Sequence, residues 1–299
     1  MTGMNQPPAQ SGRSHVVVGV DGSDHSMRAV DRAADEADRW GCDLEVLCAG
    51  GSPRIAPGPV TAADIEYVLT SAQEVADAAA QRARDRVPGL RAVPRALAEP
   101  AAAALVRASG NARLTVLGTR GHGGFAGLLL GSVSLRLAAH CQGPLMIVRG
   151  DEPDPEAELL PPLVALKAES DAAAVRFGFE EAQRRRSELR VLYAWSHPLV
   201  PAIALRLPPR TTAQDHEAAA ALVREAVEPL RGDYPDVPVT ERELLSDSPA
   251  PALIEASRGA GVIVLGVHRG HRRLALQLGP VAHAILHHAH CPVVVVPSA

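Results

Sequence analysis

Residues 113–132 read RLTVLGTRGHGGFAGLLLGS. Two residues separate Gly118 from Gly121, nine separate Gly121 from Gly131, and Ser132 follows at once. The apolar run 114–117 predicts a central strand. Ser132 stands where a helix N-cap belongs, ahead of an apolar-periodic segment. A strand feeding a glycine loop that ends at a helix start makes a phosphate cradle, because free backbone N–H groups and the positive end of the helix dipole face the anion. Glycine in such a loop supplies positive φ and lets the backbone approach closely. Arg120, between the first two glycines, adds a charge-assisted contact. The chain has one lysine, Lys167, and no Gly-Lys-Ser/Thr run, so a Walker-type loop is excluded. Phosphate binding must rest on amides, hydroxyls and arginines.

Other reactive residue types carry less. His283, His287 and His290 fall at i, i+4 and i+7, one helix face, a spacing that suits a transition metal. No acid nearby completes a ligand shell, so a solvated face or a partner for the helix C-terminal dipole is the expectation, and no metal site is assigned. No G-x-S-x-G elbow occurs, and GSVS at 131–134 reads as a helix start, so no catalytic nucleophile is assigned. The arginine-rich stretch QRRRSELR at 183–190 reads as a helix end. Cys42, Cys48, Cys141 and Cys291 form no C-x-x-C pair and read as reduced thiols of a cytoplasmic protein.

These residues sit in a chain of 299, enough for two domains of about 150 each. It is 46% hydrophobic and 21% charged, so it can fill a core. A net charge of −4 gives no basic footprint for nucleic acid, and the 3% aromatic content argues against base-stacking platforms. No apolar run approaches the ~18 residues of a membrane span. The first 13 residues are small and polar and read as a disordered tail.

Two halves of similar layout follow. The first opens with SHVVVGVDGSDHS at 14–26, a buried strand and a turn, then an Ala-rich helix stopped by Gly41. DLEVLCAG at 43–50 is a second strand, a long helix covers about 61–87, and RAVPRALAE at 91–99 is a third strand placed at an edge by Pro94. A short helix at 100–110, the strand before the glycine loop, a helix from Ser132 and a closing strand at 144–149 complete the half. The second half repeats the order from PLVALK at 162–167 to PVVVVP at 292–297, and Gly118–Gly266 and Pro144–Pro292 are both 148 residues apart. Alternating strands and helices predict α/β architecture: two tandem doubly wound domains, each with a parallel sheet covered on both faces and a ligand crevice where the strand order reverses. The expected boundaries are 14–150 and 162–299, joined by the acidic, proline-rich linker 151–161.

By VVVGVDGSDHS at 16–26, the spaced glycines at 118–132 and the closing strand after CQGP, the chain resembles the universal stress proteins over nearly its whole length. The resemblance implies a five-stranded, Rossmann-like sheet per domain, of the adenine-nucleotide alpha hydrolase-like kind, that binds ATP with Mg2+. It implies a place beside base and ribose for Val20 and Asp21, an ATP-binding position for Gly22, and an adenine-pocket position for Ala49. Leu117 and Gly118 match the end of the fourth strand, while Gly121, Gly131, Ser132, Val133 and Ser134 match the ribose- and phosphate-contacting segment. In the second half Asp21 aligns with Lys167, Gly121 with Arg269 and Ser132 with Pro280, so one competent site is expected, in the first domain. The implied function is a cytoplasmic, nucleotide-responsive regulator of a stress or dormancy response. It would be homodimeric, through or beside the tandem pseudo-dimer, and read by an unidentified protein partner, without nucleic acid or membrane. The competing readings are a slow ATPase or self-phosphorylating enzyme, with Ser132 or Ser134 as acceptor, and a structural dimerisation module with a vestigial pocket.

Overall fold

The computed structural model describes residues 15–51, 61–121, 130–149, 157, 159–167, 171–196, 213–268 and 278–298. The expected tail at 1–13, most of the linker, residues 122–129 of the glycine loop, Arg269, Gly270 and the loop histidines His122 and His271 lie outside them. Two units divide the chain, Met1–Val148 and Arg149–Ala299.

The first unit runs β1 (His15–Val20), α1 (Asp24–Trp40), β2 (Asp43–Ala49), α2 (Ala62–Arg86), β3 (Ala92–Leu97), α3 (Ala101–Ser109), β4 (Ala112–Gly118), α4 (Ser132–His140) and β5 (Leu145–Val148). Its strands are all parallel, in the order β3-β2-β1-β4-β5. Val16, Val17, Val18, Leu44, Val46, Leu114 and Val116 are wholly buried, which is why these strands read as continuous apolar runs rather than alternating ones. β3 is the edge strand, where Pro94 costs no ladder bond on its open side. Ser23 caps α1 by accepting from the Ser26 N–H, and Gly41 ends it in the left-handed region at φ 58°. α1 is clamped to α2 by two fork-shaped pairs, Arg82 on Asp31 and Arg86 on Asp35. The strand order reverses between β1 and β4, so their carboxyl ends open a crevice.

The second unit runs β6 (Pro162–Leu166), α5 (Ala172–Arg185), β7 (Leu189–Trp195), α6 (Ala213–Arg231), β8 (Val239–Leu245), α7 (Pro249–Ala256), β9 (Val262–His268), α8 (Pro280–His288) and β10 (Val293–Ser298). It is likewise parallel, in the order β10-β9-β6-β7-β8. The arginine-rich stretch is a helix end: Arg186 stops α5 at φ 53°, and Arg184 and Arg185 pair with the buried Glu181. Registers align the two units. Val16 faces Leu114 and Val18 faces Val116 in the first, while Pro162 faces Val262 and Val164 faces Val264 in the second. Asp21 thus corresponds to Lys167 and Gly118 to Gly266. The histidine face is shorter than its spacing suggested: α8 ends at His288 with Ala289 as its cap, so His290 lies beyond the helix. The ring centroids of His283 and His287 lie 4.3 Å apart, with the planes tilted by 44°.

Candidate functional site

A cavity of about 250 Å³ opens at the β1/β4 switch point. Val20, Asp21, Ala49, Leu117, Gly118, Arg120, Gly121, Gly131, Ser132, Val133 and Ser134 all line it. Of the residues singled out from sequence, Gly22 alone is outside the lining; it sits at φ 86° and turns the chain from β1 towards α1.

Asp21 is the acid of the cavity. Its Oδ1 accepts from the Ser23 N–H at 3.1 Å and from the Ser23 hydroxyl at 2.6 Å, an Asx turn that fixes the carboxylate. Its Oδ2 faces Gly121: a Cβ built there would lie 2.0 Å from that oxygen. This corrects the reason for glycine in the loop. Positive φ occurs at Gly22, Gly41, Gly51 and Gly89, and not at Gly118, Gly121 or Gly131. Gly121 is required by the approach of Asp21. Gly118 is required by α1, since a Cβ there would meet the His25 carbonyl oxygen at 2.5 Å.

The α4 terminus also differs from expectation. Gly131, with extended backbone, is the N-cap, and Ser132 is the first helical residue with no capping bond from its side chain. The displacement follows from the loop, because the Gly131 N–H is held by the Thr119 carbonyl at 2.7 Å and its own carbonyl accepts from the Leu135 N–H at 2.9 Å. The N–H groups of Ser132, Val133 and Ser134 therefore form the first turn and have no partner within the helix. The Ser134 hydroxyl donates to the Gly118 carbonyl at 2.9 Å and locks the helix to the end of β4. The Nε of Arg120 is buried and has no hydrogen-bond partner among the described residues. A buried cationic donor lining one cavity with three open N–H groups fits an anion.

Sequence reading missed Gly19, Ser26, Leu47, Ala101 and Leu105, which complete the lining. Two left a trace. An isolated glycine in VVVGV marks a close approach, and a Cβ on Gly19 would meet Leu117 at 2.5 Å. Leu47 is two residues before Ala49 and so shares its face. Ala101 and Leu105 come from α3 and carry no local signal. The cavity has two characters: an apolar wall of Leu47, Ala49, Ala101, Leu105 and Leu117, and a polar margin of Asp21, Arg120 and the start of α4. Cys48, beside Val20 in the neighbouring strand, is buried, and that burial, then the Asp21 charge, pushes its thiol up to about 11.

The second unit keeps the frame and changes the residues at the matching positions. By register, Asp21 is replaced by Lys167, Ser26 by Ala172, Ser132 by Pro280 and Ser134 by Ala282. Pro280 opens α8 without an N–H to offer. The Lys167 ammonium points to Gly279, 4.0 Å from where a Cβ would stand. Ala49 corresponds to Ala194 and Gly50 to Trp195, whose indole N–H is held by Glu243 in β8, with His216 bonded to the same carboxylate. Glu243 is held below the usual carboxylate range by these two bonds and the His216 charge, against the opposing effect of burial.

A profile of the Universal stress protein family matches residues 12–149 and 163–297. A universal stress protein of Mycolicibacterium smegmatis is 30% identical over 294 residues, covering 94% of this chain and 96% of that protein. One of Mycobacterium tuberculosis is 29% identical over 314 residues, 96% of each. Another from that organism is 34% identical over 195 residues, so the match spans 64% of either chain, under two thirds of that relative's length. Among solved structures, a universal stress protein from Archaeoglobus fulgidus covers 95% of this chain and 98% of its own, with a TM-score of 0.73 at 18% identity, an agreement of fold. Among the described residues no helix is long and apolar enough to cross a membrane.

Proposed function

The chain belongs to the universal stress protein family, and on that footing we propose that its first unit binds ATP, once per chain, as a regulatory ligand. The observation that carries the reading is the coincidence in one cavity of an apolar slot, a fixed carboxylate, and an open helix N-terminus with a buried arginine Nε that has no partner among the described residues. The slot of Leu47, Ala49, Ala101, Leu105 and Leu117 suits a purine base. Asp21 accepts from the ribose hydroxyls. The N–H groups of Ser132, Val133 and Ser134, with Arg120, hold phosphate oxygens. Mg2+ bound with ATP would neutralise part of the phosphate charge. The second unit, with Lys167, Ala172, Pro280 and Ala282 at the matching positions, supports a stoichiometry of one.

ATP acts by favouring the conformation or homodimeric state for which its affinity is higher, and a protein partner reads that state. The four cysteines are reduced thiols, which suits the cytoplasm. Adenosine and ATP binding to nucleotide-stripped protein test the site. Asp21→Ala weakens both ligands by roughly tenfold or more, and Arg120→Ala weakens ATP by about tenfold while leaving adenosine unchanged. Equal loss of both ligands in Arg120→Ala, or no loss in either variant, overturns the assignment.

A further inference from the structure

Thr119 lies between two cavity-lining residues, Gly118 and Arg120, yet does not line the cavity itself. It is buried, and both of its polar ends are engaged. Its carbonyl accepts from the Gly131 N–H at 2.7 Å, which draws the two ends of the glycine loop together and sets the N-cap of α4. Its hydroxyl lies 3.2 Å from Nδ1 of His25 in the first turn of α1. The same nitrogen is 2.8 Å from a guanidinium nitrogen of Arg28, one turn further along. Arginine only donates, so Nδ1 is an acceptor and the ring proton is assigned to Nε2. The Thr119 hydroxyl shares that lone pair as a second, longer donor. The His25 backbone closes the contact from below, against Gly118.

We infer that Thr119, anchored on His25, is the positioning residue of the phosphate cradle: it ties the first turn of α1 to the first turn of α4 and so aims the open N–H groups of Ser132, Val133 and Ser134. The second unit supplies an internal comparison. At the place of Thr119 stands Val267, buried and without a hydroxyl, and at the place of His25 stands Asp171. Asp171 instead accepts from the Lys167 N–H at 2.7 Å, and its Oδ1 is packed against Gly266. The tie is replaced in the same unit that has replaced the polar lining. A tie needed only for folding would have no reason to disappear with the ligand chemistry, since both units keep the sheet, the order and the register.

The inference rests on the ATP reading of the first unit, and its test separates the two. Affinities for ATP and for adenosine are measured on the full chain for Thr119→Val, Thr119→Ser, His25→Ala, His25→Asn and the Val/Ala double variant. Thr119→Val and His25→Ala each lower ATP affinity by about tenfold, the loss of one hydrogen bond's worth of aim, and leave adenosine affinity unchanged. Thr119→Ser and His25→Asn, which keep a hydroxyl and an acceptor in place, restore ATP affinity. The double variant is no worse than either single one, because both break the same tie. Equal weakening of ATP and adenosine would mean a general structural defect and overturn the inference, as would unchanged ATP affinity in both single variants. Wild-type protein that binds neither ligand overturns the ATP reading and this inference with it.

Discussion

Gly121→Ala isolates the contact at the centre of the cavity. The new methyl would stand 2.0 Å from Oδ2 of Asp21, so one of them must move by about 1.4 Å to reach ordinary contact at 3.4 Å. Gly121 has no left-handed φ, so alanine brings no backbone strain, and the whole effect falls on the carboxylate. Asp21 cannot turn aside freely. Its Oδ1 is bound by the Ser23 N–H and hydroxyl, and rotating it gives up both bonds. A carboxylate displaced by more than 1 Å no longer accepts from the ribose, and a hydrogen bond to a charged group contributes about 1.5–3 kcal/mol, or roughly 10- to 150-fold in affinity. Fold stability should change by less than about 1 kcal/mol, the scale of a disturbed cap. The assay is ATP affinity by calorimetry alongside urea unfolding, for Gly121→Ala, Asp21→Ala and the double variant. Once the carboxylate is gone the methyl has nothing to displace, so the double variant should match Asp21→Ala alone. Unchanged affinity in Gly121→Ala, or losses that add in the double variant, would refute the reasoning.

Three further outcomes follow from packing and charge. Gly118→Ala drives a Cβ into the His25 carbonyl at 2.5 Å, a backbone atom, and should cost about 1–3 kcal/mol in urea unfolding even without nucleotide. Glu36, wholly buried, pairs with Arg32 at 3.0 Å and Arg39 at 2.8 Å, so Glu36→Ala strands a buried guanidinium and should destabilise by about 3–5 kcal/mol. The Cys48 thiol, pushed up to about 11 by burial and by Asp21, holds its proton more tightly when folded. Its contribution is complete below the ordinary thiol value of 9.0 and is lost as pH rises towards about 11, so Cys48→Ala should flatten that part of the stability profile. Alkylation of native Cys48 at neutral pH should be slow, and rapid labelling would contradict its burial.

The elements were legible because parallel strands buried on both faces leave unbroken apolar runs such as Val16–Val18 and Val293–Val296, and because Gly41 and Pro94 have positional meanings that survive without tertiary context. The cavity was half legible. The β1 end and the glycine loop announce themselves, whereas Ala101 and Leu105 enter only because the topology lays α3 over the strand ends. Two local readings failed for one reason. Ser132 has the residue type of a cap, but the bond from Gly131 to Thr119 starts the helix one residue earlier. The glycines have the residue type for positive φ, but what they answer is the nearness of Asp21 and His25, a fact of three dimensions. The residue exchanges of the second unit were visible in the sequence at Lys167 and Pro280. The same sequence offsets place Val267 at Thr119 and Asp171 at His25, but the bond that joins Thr119 to His25 became visible only in three dimensions.

We propose one ATP site per chain, in the first unit. Calorimetric titration of nucleotide-stripped protein with ATP and magnesium tests it most directly, repeated on Asp21→Ala and on Lys167→Ala. A stoichiometry near one is expected, with affinity lost in Asp21→Ala and untouched in Lys167→Ala. A stoichiometry near two, or affinity that survives Asp21→Ala and falls in Lys167→Ala, would contradict it.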